Sequence, residues 1–150
     1  MTRSNAREIA VHLIYAVQCC QDSAEDVLNS RLAQEYYDCL AAENEVYSEY
    51  PDAKQKSYIT TVVKGVEAHR EELESIISRY SIGWNLNRIS SLAKAIMELA
   101  MYEACYVDDV PVNVAIHEAV LLAQKFEEPE TVSFVNGVLG SFARDQVTER

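Results

Sequence analysis

The chain has 150 residues, 49% of them apolar, and its 24 acids against 13 lysines and arginines give a formal charge of −11. Such length and apolar content suit one compact domain, or two small helical subdomains sharing a core, and exclude general disorder. The charge disfavours a broad nucleic-acid or membrane footprint but leaves room for a small local basic site, and four glycines with three prolines leave little punctuation for a many-stranded fold.

Arg3, Arg7, Glu8 and His12 interrupt the region where a signal peptide would be apolar. No apolar run approaches the roughly 20 residues of a membrane span, so a cytoplasmic protein with no membrane partner is expected. Cys19, Cys20, Cys39 and Cys105 show no C-x-x-C spacing and read as free thiols buried in an intracellular chain.

Helical periodicity runs almost throughout. Asn5 can cap a first helix to about Cys20, with Ile9, Leu13, Ala16 and Cys20 on one stripe. "SAED" after it resembles a capping box and opens a second helix from Ser23 to about Leu40. The acidic stretch "AAENEVYSEYPD" (41–52) then reads as a linker. Pro51 opens a long helix in which Ile59, Val62, Val63, Val66, Leu73, Ile76, Ile77 and Tyr80 recur at spacings of three and four.

"SIGWNLN" interrupts that pattern at Gly83. "RISSLAKAIMELAMYEACY" (88–106) is apolar nearly all round and belongs at the centre of a bundle. Val110-Pro111 and Glu128-Pro129 start the last two helices, the final one facing inward through Val135, Val138, Leu139 and Phe142. Gly137 and Gly140 lie inside it, where each costs about 1 kcal/mol relative to alanine; close approach of a neighbouring helix is the expected reason. A G-x-x-G nucleic-acid loop would want basic residues between its glycines, whereas Val138 and Leu139 are apolar. The fold class is all-α.

No catalytic or metal constellation is visible. His12, His69 and His117 are far apart in sequence, no phosphate-cradling or nucleophile-elbow motif occurs, and "REELE" (70–74) reads as a solvated helix face. No enzyme activity, metal or cofactor is expected. Two other features stand out. Arg3 and Arg7, four residues apart at a helix start, share a face with Gln18 further along, and a helix N-terminus itself favours phosphate; two solvated arginines are the plain alternative. Val114, His117, Glu118 and Leu121 form a mixed apolar–polar strip suited to a protein partner, or to the other half of the same chain.

"AREIAVHLIYAVQ", "WNLNRISSLAKAIMELAMYE" and "DVPVNVAIHEAVLLAQKF…SFVNGVLGSFAR" together resemble the NusB family of bacterial transcription antitermination factors, from about Ala6 to Arg144. The resemblance implies a helical bundle of two three-helix subdomains sharing a core, about 1–80 and 81–150 within one RNA-binding domain. It implies a non-enzymatic role: binding boxA-like single-stranded RNA in nascent ribosomal RNA together with the small-subunit ribosomal protein NusE, within the transcription elongation complex. Arg3 and Arg7 inherit the family's arginine-rich RNA contact. Phe126 matches an aromatic bordering the RNA, where stacking is worth about 1–3 kcal/mol, although it can equally complete the core stripe of Ala115, Ala119 and Ala123. The strip from Val114 to Leu121 falls in the half that supplies the ribosomal-protein interface. Family members occur as monomers and as homodimers.

The departures matter too. Ser4 and Asn5 stand where the family often has arginines, so with about two phosphate contacts the salt slope would be near −1.4, at roughly −0.7 per contact. Lys94 replaces a usual acid, His117 a usual asparagine, and Glu127 a usual glycine beside the RNA surface. A protein-interaction adaptor with weak or no RNA binding is therefore the alternative. An accessory domain of a ribosomal RNA methyltransferase is a third reading, disfavoured because the chain ends at Arg150 without a cofactor loop.

Overall fold

Helices supply all the regular structure among the residues described by the computed structural model, which are 1–83 and 89–149, with side chains as far as residue 146. The chain divides into two compact units, Met1–Ala68 and His69–Arg150. The all-α expectation holds. "WNLNR" (84–88), part of the middle motif, lies outside the described residues.

In the first unit, α1 (Arg3–Cys20) is capped by Thr2, whose Oγ1 accepts the Asn5 N–H at 3.0 Å. The cap therefore falls three residues before the expected Asn5, which already sits in the first turn. α1 buries Ile9, Ala10, Leu13, Ile14 and Val17, and it packs on α4 (Ala53–Ala68), which buries Ile59, Val62, Val63 and Val66. Each of these valines, leucines and isoleucines contributes about 1.5–3 kcal/mol on leaving water, and Ala10 less.

The helix expected from Ser23 to Leu40 is two helices, α2 (Ala24–Arg31) and α3 (Gln34–Leu40). Ser23 does cap it, its Oγ accepting the Asp26 N–H at 3.1 Å. The chain then leaves helical geometry at Leu32 and Ala33, whose ψ values are 2° and 133°. The Tyr50 hydroxyl donates to the Leu32 carbonyl, giving that carbonyl a partner at the break.

Stretch 41–52 is packed against its own unit rather than being a free linker. Tyr37 and Val46 are buried there, Tyr37 meets Tyr47 and Tyr50 edge-on at 5.2 and 4.9 Å between centroids, and the Tyr37 hydroxyl donates to the Glu49 carbonyl at 2.7 Å. The stretch reads as a linker because of its acids, whereas its Val46, Tyr47 and Tyr50 hold it against α3 through Tyr37.

The long helix expected after Pro51 also breaks, at His69 (φ −107°, ψ 18°), and α5 (Arg70–Tyr80) begins the second unit. There the His69 ring stacks on Tyr106 at 4.3 Å, with its Nδ1 3.1 Å from Glu72 Oε2. α6 (Ser91–Tyr106) is buried continuously from Ala95 to Ala104 and packs on α5, α7 (Val112–Phe126) and α8 (Pro129–Glu149), as its all-round apolar sequence requires. Val135, Val138, Leu139 and Phe142 of α8 are buried as expected.

Two expectations fail here. A Cβ at Gly137 would meet nothing within 4 Å, and at Gly140 only the end of the Arg144 side chain at 3.8 Å, so no neighbouring helix demands either glycine. None of the four cysteines is in a disulfide and all are exposed, not buried, because they sit on solvent faces near the ends of α1, α3 and α6.

Candidate nucleic-acid and partner surfaces

The start of α1 lies beside the start of α4, within the first unit. Asp52 and Gln55 form a reciprocal capping box at the head of α4: Asp52 Oδ1 accepts the Gln55 N–H at 2.8 Å, and Gln55 Oε1 accepts the Asp52 N–H at 3.0 Å. Gln55 also donates through Nε2 to the Met1 carbonyl, and the Met1 ammonium pairs with Glu49. These bonds tie the chain terminus to α4 and fix where Arg3 stands.

Arg3 is exposed, and its guanidinium carbon lies 4.2 Å from the centroid of the Tyr58 ring. Arg3, Lys54, Gln55, Tyr58 and Asp52 line a shallow cavity of about 190 Å³. Two cations, an aromatic face and a helix N-terminus thus converge on one spot, with Asp52 engaged in capping. Such a spot suits a phosphate with a neighbouring base.

The other RNA-facing candidates are placed differently. Arg7 is 4% exposed and engaged with neighbours, so Arg3 and Arg7 do not share a solvent face. Gln18 is half-buried some 15 residues along α1, about 22 Å from Arg3 at 1.5 Å per residue. One turn before it stands Tyr15, 41% exposed, which apolar periodicity does not single out. Its phenol titrates above the ordinary tyrosine value, chiefly through a hydrogen bond with Cys19. An aromatic off the apolar stripe of α1 was the available signal.

In the second unit Phe126 ends α7 half-buried, with the Lys125 ammonium 5.3 Å from its ring centroid. Ala115, Ala119 and Ala123 are fully buried, so Phe126 extends their stripe only in part. Val114 and Leu121 are 41% and 45% exposed, His117 is exposed and Glu118 half-buried, forming one outward strip on α7.

Of the departures, Glu127 is absorbed locally: its carboxylate accepts the Ser90 hydroxyl at 2.5 Å, and Ser90 Oγ in turn caps α6 by accepting the Ala93 N–H. Lys94 pairs with Glu74 of α5 at 2.6 Å, a half-exposed bridge of the kind worth at most about 1 kcal/mol. No group of three or more metal-ligating side chains comes together among the described residues, and no helix is long and apolar enough to cross a membrane.

The model of the NusB family matches residues 4–144. The transcription antitermination protein NusB of Acetivibrio thermocellus is 42% identical over 144 residues, 96% of this chain and 90% of that one. Its Bacillus subtilis counterpart is 30% identical over 145 residues, 97% of each. Among solved structures, T. maritima NusB superposes with a TM-score of 0.77 at 25% identity, covering 96% of this chain and 92% of that one. A NusB in complex with NusE and dsRNA gives a TM-score of 0.73 at 18% identity, covering 95% and 96%.

Proposed function

We propose, on the premise that this chain belongs to the NusB family, that it is a transcription antitermination protein binding boxA-like single-stranded RNA of nascent ribosomal transcripts together with NusE. It works in the cytoplasm as a binding protein in the elongation complex, without catalysing a reaction, and residues 1–150 act as one RNA-binding module. The observation that carries this reading is the family match across nearly the whole chain, with 42% identity to the transcription antitermination protein NusB of Acetivibrio thermocellus.

The geometry adds roles. Arg3 takes a phosphate at the head of α1, with Tyr58 behind its guanidinium and Lys54 beside it. Tyr15 and Gln18 offer a stacking face and an amide further along α1. In the second unit Phe126 offers a ring at the end of α7, and Val114, His117, Glu118 and Leu121 take the ribosomal protein. Arg7 holds α1 in place rather than meeting solvent.

The same burial of Arg7, with the charge of −11, favours a second reading: an adaptor that retains NusE and has little RNA affinity. In vitro transcription through a terminator, on a template with a boxA-type leader, separates the two. Readthrough that rises with this protein and NusE, and falls when the leader is scrambled, supports the antitermination role. Readthrough indifferent to the leader refutes RNA-directed action.

A further inference from the structure

The outward face of α4 differs in charge from the rest of the molecule. Between Asp52 and Glu67 the chain carries Lys54, Lys56 and Lys64 and no acid, although acids outnumber bases 24 to 13 overall. The core side of this helix is Ile59, Val62, Val63 and Val66. Its other side presents Lys54, Lys56, Ser57, Thr60, Thr61 and Lys64, all exposed but the half-buried Thr60.

Lys56, Thr60 and Lys64, at spacings of four, follow one line about 12 Å long. They border a second cavity, of about 250 Å³, against the Glu25, Leu28 and Asn29 side of α2 and the Leu32-Ala33 break. The two acids that bracket this acid-free run are occupied with backbone amides: Asp52 caps α4, and Glu67, in the last turn of α4, accepts the Ala24 N–H through Oε2 at 2.7 Å. Glu25 is the one acid in the cavity wall. Lys56 also lies 5.8 Å from the Tyr50 ring centroid. Across the solvent side of the helix, past the exposed Ser57 and Thr61, stands Lys54, which with Tyr58 lines the Arg3 cavity on the other flank of α4.

We propose that this face is a second phosphate-contacting surface, along which the backbone of a single-stranded RNA continues beyond Arg3. The inference rests on the RNA-binding reading above. Lysines interleaved with hydroxyls are ligands for phosphate oxygens and carry no base information, so the face lengthens the footprint without adding sequence preference. It also replaces phosphate contacts that a chain start with Ser4, Asn5 and a buried Arg7 does not provide.

The test is the salt dependence of binding of a labelled boxA-type RNA carrying a single-stranded extension, using the full chain and its K56Q/K64Q, K56R/K64R and R79Q variants. At roughly −0.7 per phosphate contact, K56Q/K64Q should flatten the log–log slope by about 1.4, which across the decade from 0.1 to 1 M salt is a Kd about 25-fold weaker at the low end. K56R/K64R should restore the slope, R79Q on α5 should leave it unchanged, and all should melt as the parent does. A parent that binds while K56Q/K64Q matches it in slope and Kd overturns the α4 surface alone. A parent that binds no RNA overturns both the surface and the RNA reading. Loss of NusE binding in K56Q/K64Q with RNA binding intact reassigns the face to protein and overturns the proposal.

Discussion

The guanidinium of Arg3 lies 4.2 Å over the ring of Tyr58, whereas Arg7, one turn further along the same helix, is 4% exposed. The two arginines that look equivalent in sequence therefore have separable roles. Arg3→Glu should weaken RNA binding at least tenfold at low salt and leave the melting temperature nearly unchanged. Arg7→Glu should cost on the order of 3 kcal/mol of stability, because it reverses a buried, engaged charge beside Glu8. Thermal melts of the two single variants check this; equal melting temperatures would remove the distinction.

Gly137→Ala should stabilise the protein. The position is mid-helix, its φ is not in the left-handed region, and an added Cβ meets nothing within 4 Å. Removing a helical glycine is worth about 1 kcal/mol, which for a chain of this size raises Tm by about 2–4 °C. Calorimetry decides it, and a lowered Tm would show that the open face of α8 is occupied in solution.

Tyr37 ties the 41–52 stretch down. Its phenol is pushed up to about 12 from 10.0, first by burial and then by the charges of Tyr50 and Glu49. With the folded value above the unfolded one, this stabilisation is fully present below pH 10 and is lost as pH rises toward 12. Tyr106 behaves alike, raised to about 12 chiefly by its hydrogen bond to Glu72. The melting temperature should thus fall between pH 10 and 12, in step with late tyrosinate absorbance. Tyr37→Phe should remove part of that fall and cost about 1 kcal/mol at neutral pH through the lost bond to Glu49.

Glu72 supplies an acid-side check. The Tyr106 hydroxyl, and after it His69, hold its carboxyl below the ordinary 4.5. Its contribution is present above that value and fades as pH falls through the depressed one. Tyr106→Phe should move the Glu72 carboxyl titration back up, as followed by NMR.

Leu121→Asp and Val114→Asp test the α7 strip. Both side chains are more than two-fifths exposed, so stability should change by less than about 0.5 kcal/mol, while NusE binding should weaken at least tenfold. Unchanged NusE affinity would move the partner surface elsewhere.

What the sequence reveals follows from which forces act locally. Apolar spacing places the buried faces of α1, α4, α6 and α8 because burial dominates helix packing. The breaks at Leu32-Ala33 and His69 escape it: neither carries glycine or proline, and the groups gathered at them, Tyr50 on the Leu32 carbonyl and Tyr106 on His69, lie far along the chain. The same limit applies to Arg7. Helical spacing groups it with Arg3, and only the tertiary surroundings bury it. Glycines inside α8 suggest a close helix neighbour, yet the space beside Gly137 is open. The basic face of α4 was legible as a run without acids, but its significance depends on Asp52 and Glu67 being turned to capping.

The most direct test of the central claim is fluorescence anisotropy of a labelled boxA-type single strand against this protein, with and without NusE, across a salt series. Binding that tightens when NusE is added, weakens with salt and is lost in Arg3→Glu is the predicted result. A strand that stays free under every condition, while NusE still forms a complex with the protein, would contradict the RNA-binding account and leave a protein-only adaptor.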